Sequence, residues 1–256
     1  MKITMKKYLI ALAAMVVAVS SCTEKMSSGD KGDKVQEQVK LVKRITRKSW
    51  TPSYPDNVYT LVYDFSYDED NRIVKIARKS VESECTYIEY RTYSGNTAKY
   101  MFEEDGNYDA EVIISFEGKK VVNVKDHDGL YQYLYENNSE KVTSIYGDEV
   151  CKCSWDKNGN MINYLQIQLS YTNKVNKTNI EMASEDFLSF PGIRTWIDRN
   201  VFPSICSEYL VEKIDRGSTG SFRVFSYEFD SDGCPIAVYI TGDNTTMWYK
   251  YELEYY

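Results

Sequence analysis

A single histidine, His127, stands among 256 residues. That scarcity removes nearly every histidine-based metal site and leaves any catalytic triad one residue to use. Proline is sparse at 5 and glycine modest at 13, too few for a low-complexity or collagen-like chain. Positive charge is not in excess: 31 Lys and Arg face 38 Asp and Glu, a net charge of −7. The basic footprint needed to hold a phosphate backbone is therefore missing, which argues against nucleic acid as a partner. No phosphate-cradling loop is present, since Gly217-Ser218-Thr219-Gly220 lacks the lysine and the following helix. A G-x-S-x-G nucleophile elbow is also absent. The longest apolar run, Tyr8 to Val19, is shorter than the about 20 residues a spanning helix requires. Tyrosine, by contrast, is abundant at 23. With 43% apolar and 27% charged residues, the chain reads as a globular domain able to bury one substantial core.

The amino-terminal segment carries an address. Lys2, Lys6 and Lys7 precede the Tyr8–Val19 run, which has the length of a signal-peptide core. The run ends in Val19-Ser20-Ser21-Cys22, which resembles the lipobox of bacterial lipoproteins. Residues 1–21 are then a signal peptide and Cys22 is the site of lipid attachment. Several acyl chains on one residue anchor a protein far more firmly than one chain does. Residues 22–38, polar and free of aromatics, read as a flexible tether. Thr23 stands where an aspartate would favour inner-membrane retention in bacterial lipoproteins, so the resemblance implies the outer membrane. Glu24 is followed by Lys25, a weak acidic cluster that leaves periplasmic face against cell surface open.

From Val39 to Tyr256 the pattern is β. Tyr59, Leu61, Tyr63, Phe65 and Tyr67 alternate with Thr60, Asp64 and Ser66, and Tyr249, Tyr251, Leu253 and Tyr255 alternate with Lys250, Glu252 and Glu254. A period of two with one polar side indicates antiparallel strands. One hairpin unit recurs, with an aromatic pair, an acid, a turn and an aliphatic strand: FSYDEDNRIVKI (65–76), YLYENNSEKVTSI (133–145), CSWDKNGNMINYL (153–165) and YEFDSDGCPIAVY (227–239). Asp, Asn and Gly cluster at each reversal because they cap the turn or accept positive φ. The spacing of Ile193, Trp196, Ile197 and Val201, behind an N-cap at Ser184, predicts a short helical insert over 184–202. Its apolar stripe would lie as a lid on the sheet; Trp196 beside Arg194 and Arg199 offers a membrane-interface helix as the alternative.

The lipobox, the tether, the YDEDNRIVKI-type hairpins and the closing strand WYKYELEYY together resemble a Bacteroides-type family of uncharacterised lipoproteins. The resemblance implies a mainly β fold, a single curved antiparallel meander sheet, half-barrel-like and porin-like. It transfers no catalytic residue. A spanning barrel is disfavoured because Tyr256 shares its face with Glu254, Glu252 and Lys250, and a charge on the lipid face costs roughly 2–4 kcal/mol at the midplane.

Five body cysteines, Cys85, Cys151, Cys153, Cys206 and Cys234, cannot all pair with one another, and Cys151 and Cys153 read as small buried residues on one strand face. Asp126-His127-Asp128-Gly129 and Asp156 to Asn160 read as turns rather than as a catalytic or calcium site. Lys40, Arg44 and Lys48 read as an edge strand blunted by charge. Trp50 and Trp248 are the unusual residues, aromatics on the polar side of their strands, suited to stacking on sugar rings or on a partner's apolar patch. The sequence therefore points to a non-catalytic binding module for a glycan or apolar ligand, with no cofactor and no metal. An envelope-protein interaction component is the alternative, and a carboxylate-based hydrolase comes third.

Overall fold

The computed structural model describes residues 39–136, 139–183, 190–191, 193, 195–217, 220–242 and 247–256. Cys22 and the segments expected to be a signal peptide and a tether lie outside them. Sixteen strands form among these residues: β1 (Val42–Thr51), β2 (Tyr54–Tyr67), β3 (Ile73–Ser80), β4 (Thr86–Ser94), β5 (Thr97–Glu104), β6 (Asn107–Glu117), β7 (Lys120–Lys125), β8 (Leu130–Leu134), β9 (Ser144–Tyr146), β10 (Val150–Trp155), β11 (Met161–Tyr164), β12 (Ile167–Val175), β13 (Tyr209–Asp215), β14 (Phe222–Phe229), β15 (Pro235–Gly242) and β16 (Trp248–Tyr255). Each pairs antiparallel with its sequence neighbours, and β1 pairs with β16 to close a barrel.

Closure corrects the expected half-barrel. Ile45 faces Tyr63 of β2 on one side and Leu253 of β16 on the other, so β1 has no open edge. An open meander of this length would leave two rows of unpaired backbone groups, and closure removes both. Nor do Arg44 and Lys48 blunt an edge: Arg44 pairs with Asp64 at 2.6 Å and Lys48 with Glu252 at 2.9 Å, on the outer wall.

Three of the recurring turns are built alike, at the rim where the chain enters the barrel. Oδ1 of Asp68 accepts the amides of Asp70 and Arg72, Oδ1 of Asp156 those of Asn158 and Asn160, and Oδ1 of Asp230 those of Asp232 and Cys234. The second carboxylate oxygen takes a side-chain donor each time, from Arg72, Asn160 and Lys40 respectively. Three residues after each aspartate the backbone turns left-handed, at Asn71 (φ 59°), Gly159 (φ 81°) and Gly233 (φ 79°). Asn and Gly are the residues that tolerate this conformation.

The tyrosines explain themselves at the same rim. Hydroxyls of Tyr67, Tyr93, Tyr135, Tyr171, Tyr227 and Tyr255 donate to the carbonyls of Val42, Ile73, Val121, Met161, Val211 and Pro235, each near the start of the preceding strand. The Trp155 indole does the same to Val142. β6 carries Phe116 near the corresponding end, where the ring packs on Phe202. A ring with a polar tip suits this place, because its body fills the interior while its tip satisfies a carbonyl. Burial pushes Tyr93 and Tyr135 up to about 12, so they stay protonated donors at neutral pH.

The segment between β12 and β13 corrects the second expectation. Its described residues make turns and isolated bridges, Ile180 with Asp198 and Phe190 with Ile193, and no helix; Ser184 to Ser189, Gly192 and Arg194 lie outside the described residues. The segment is a plug rather than a lid. Trp196 meets Tyr63, Phe65 and Tyr251 edge-on at 5.7, 6.3 and 5.9 Å, Phe190 meets Tyr164 and Phe202 meets Tyr100. These partners lie on β2, β5, β11 and β16, so the insert touches the inner wall on several sides. Trp196 is 2% exposed, which overturns the membrane-interface alternative. The helical spacing of its apolar residues reflects burial within a ring of apolar wall, not a repeating backbone hydrogen bond.

Because the plug lacks regular structure, side chains satisfy much of its backbone, as buried polar groups require. Asp198 accepts the Ile73 and Asn200 amides at 2.8 and 3.0 Å. Glu181 accepts the Ser207 amide at 3.0 Å and pairs with Arg199. Asn179 accepts the Val42 amide and donates to the Tyr67 oxygen. These bonds tie the plug to the starts of β1 and β3.

Candidate functional sites

The inner and outer walls differ in chemistry. Inward positions carry Ile45, Tyr63, Phe65, Tyr100, Ile114, Val124, Tyr133, Ile214, Val238 and Tyr251, all buried. Outward positions carry Arg44, Asp64, Lys99, Glu111, Lys213, Asp215, Lys250 and Glu252, joined in pairs such as Lys99–Glu111 at 2.5 Å. Exposed pairs of this kind contribute little stability, but they keep a wall wet.

Trp50 and Trp248 lie on that outer wall, directly opposite one another in the β1–β16 register. The sequence places each on a polar face; closure brings them together, since they come from the first and last strands. Both are half-buried, and the Trp248 indole nitrogen finds no acceptor among the described residues. On the same face Glu252 bridges Lys48 at 2.9 Å and Lys250 at 2.7 Å. The two lysines, Lys250 foremost, hold the Glu252 carboxyl below its usual range. Two cross-strand indoles therefore stand on the outer wall beside an ion triad.

A second site lies inside. β4 carries an inward row Tyr87, Glu89, Arg91 and Tyr93, in which two charges are buried among rings. Arg91 ion-pairs with Glu89 at 2.5 Å, donates to the Trp196 carbonyl at 2.7 Å and lies 4.5 Å from the Tyr100 ring centroid. The other Glu89 oxygen accepts the Thr195 hydroxyl. Above this pair is a cavity of about 140 Å³ lined by Tyr63, Arg78, Tyr87, Glu89, Phe102 and Trp196, among others. Sequence reasoning missed this site. Its signal was legible, since Glu89 and Arg91 share the tyrosine face of one strand and Arg78 shares the face of Ile76.

The remaining sequence candidates are structural. All five described cysteines are free thiols. Cys151 and Cys153 point inward and are buried, and burial pushes Cys153 up to about 12. Asp126 accepts the Asp128 and Gly129 amides in the β7–β8 turn. Asp126, His127 and Asp128 stand close together but are largely exposed.

The architecture is that of porin-like barrels. The chain is similar to a porin-like protein from Bacteroides uniformis with TM-score 0.59 at 10% identity, over 84% of this chain and 98% of that one. It is similar to a porin-like protein from Bacteroides vulgatus with TM-score 0.55 at 12% identity, over 85% and 99%. No protein-family model matches the sequence, and no curated protein matches it.

Proposed function

We propose that this chain is a lipid-anchored envelope protein of the Bacteroides type, held at the outer membrane through Cys22, which binds a glycan on its outer wall without catalysing a reaction. The observation that carries the binding reading is the in-register pair Trp50–Trp248 beside the Lys48–Glu252–Lys250 ion triad on the outer wall. Flat rings at a wet surface suit stacking on sugar faces, and the Lys48–Glu252–Lys250 triad supplies hydrogen-bonding groups beside them. A conducting role has less support. Sixteen-stranded porins enclose an aqueous channel and show lipid an apolar band, whereas here plug residues such as Trp196 and Phe202 are buried in the interior and ion pairs such as Lys99–Glu111 and Lys213–Asp215 stand on the outer wall.

The test is binding of the purified protein to a glycan panel, then titration of Trp50→Ala and Trp248→Ala against any hit. Each variant should weaken binding by at least about tenfold with the fold intact. Unchanged affinity in both, or no binding across the panel, refutes the glycan reading. Cys22→Ala should release the protein from membranes; retention would refute the anchor.

A protein-interaction role has its own observation. Tyr146 and Val150 are cross-strand neighbours on the outer wall, Leu130 and Leu134 lie on the same face of β8, and all four are between 44% and 55% exposed. Co-purification of an envelope protein that Leu134→Asp abolishes would favour that reading.

A further inference from the structure

The interior cavity has chemistry that neither the plug nor the outer wall uses. Arg78 points inward from β3, opposite Tyr87 in the β3–β4 register, and its guanidinium lies 4.4 Å from the Tyr87 ring centroid. It makes no ion pair or hydrogen bond among the described residues. The one carboxylate in the cavity wall, Glu89, is already committed on both oxygens, to Arg91 and to Thr195. Its charge is therefore matched by Arg91, and among the described residues no carboxylate pairs with Arg78.

Below Arg78 the walls are rings. Tyr63 and Trp196 are 2% exposed, Tyr87 and Phe102 are half-buried and their centroids lie 6.0 Å apart. The cavity is thus deepest at Trp196 and shallowest at Arg78 and Tyr87. The Trp196 indole nitrogen is buried and has no acceptor among the described residues. A buried donor left unpaired costs roughly 1–3 kcal/mol, so an acceptor supplied by a ligand would recover that cost. The volume decides the size of the ligand. A cavity of roughly 150 Å³ takes benzene, so about 140 Å³ takes one ring, with a headgroup at the shallow end.

We infer that this cavity is a binding site for a small aromatic carboxylate, its ring among Tyr63, Phe102 and Trp196 and its carboxylate on Arg78. A ring hydroxyl at the far end would accept from the Trp196 indole. Arginine suits the task because its planar fork meets both oxygens of a carboxylate. An ammonium ligand would face an unneutralised guanidinium, and a disaccharide exceeds the volume. The site is separate from the tryptophan pair, which faces the opposite side of the wall.

The test is isothermal titration of the purified protein with 4-hydroxybenzoate, with 4-hydroxybenzamide as the neutral analogue. Saturable binding is expected for the acid. Arg78→Gln and the amide should each weaken it by at least about tenfold. Lys79→Gln removes a neighbouring positive charge on the outer face and should leave the affinity unchanged. Far-UV circular dichroism and the urea midpoint check that Arg78→Gln folds; the residue is half-buried and makes no hydrogen bond among the described residues, so both should match the wild type. No saturable binding up to about 10 mM acid, or equal affinity in Arg78→Gln, overturns the inference. So does a Lys79→Gln loss as large as that of Arg78→Gln, because it would make the attraction a diffuse surface effect.

Discussion

Replacing Trp196 by alanine probes the plug at its centre. The side chain is 2% exposed and meets three rings edge-on, from Tyr63, Phe65 and Tyr251. Truncating a buried tryptophan costs about 3–5 kcal/mol through lost burial and the cavity left behind. The three edge contacts argue for the upper half of that range, because each aromatic pair adds about 0.5–1.5 kcal/mol beyond its area. No side-chain hydrogen bond adds to this cost, since the indole nitrogen has no acceptor among the described residues and the Trp196 carbonyl that receives Arg91 belongs to the backbone. Against a typical total of about 5–15 kcal/mol, a loss near 4 should lower the urea midpoint severely. Trp248→Ala on the outer wall is the control, and should cost about 1 kcal/mol or less. The assay is equilibrium urea unfolding followed by circular dichroism, with coincidence of two probes to confirm a single transition. If Trp196→Ala costs no more than Trp248→Ala, the plug does not hold the barrel together.

Three further outcomes follow from the same geometry. Tyr227→Phe leaves a strand-start carbonyl without its donor and should lose about 0.5–1.5 kcal/mol in urea unfolding, and Tyr67→Phe, which also strips Asn179 of its acceptor, should lose more; Tyr239→Phe, whose hydroxyl meets the exposed Glu228, should lose almost nothing, and equal losses would refute the lacing role. Burial raises the Asp198 carboxyl to about 6, above an unfolded value near 3.9, so between about pH 4 and 6 the folded state holds a proton that the unfolded chain releases. Stability contributed by this group therefore falls as pH rises through that window, and the difference between wild type and Asp198→Asn should shift against the wild type by about 2–3 kcal/mol from pH 4 to 7.5; a constant difference refutes it. Glu89→Gln strands the buried Arg91 charge and should cost about 3–5 kcal/mol, with Glu89→Gln/Arg91→Met far milder than the sum of the single losses; additivity in a double-mutant cycle would show that the pair does not act as one.

Much of the wall was legible residue by residue, because strand alternation and turn chemistry are local. The period of two in Tyr249, Tyr251 and Leu253 against Lys250 and Glu252 assigns inside and outside before any partner strand is known. The Asp-x-x-Asn or Asp-x-x-Gly spacing at Asp68, Asp156 and Asp230 fixes three reversals for the same reason, as the carboxylate meets amides two and four residues on. Closure was not legible. Pairing Ile45 with Leu253 joins the first and last strands, and a hairpin pattern reads the same whether its sheet is open or closed. The plug misled for a related reason: apolar residues three and four apart face one way on a helix, but an irregular segment surrounded by wall can bury them at any spacing.

By itself the sequence determined the β character, the wet and dry faces and the turns at the entry rim. Tertiary structure alone decided that Trp50 and Trp248 are neighbours, that Trp196 is buried in the interior, and that Arg78, without an ion pair among the described residues, lines a cavity walled by rings. The division follows sequence distance. Strand faces and turns are set by atoms a few residues apart, whereas the two sites depend on register between distant segments, and only the closed barrel fixes that register.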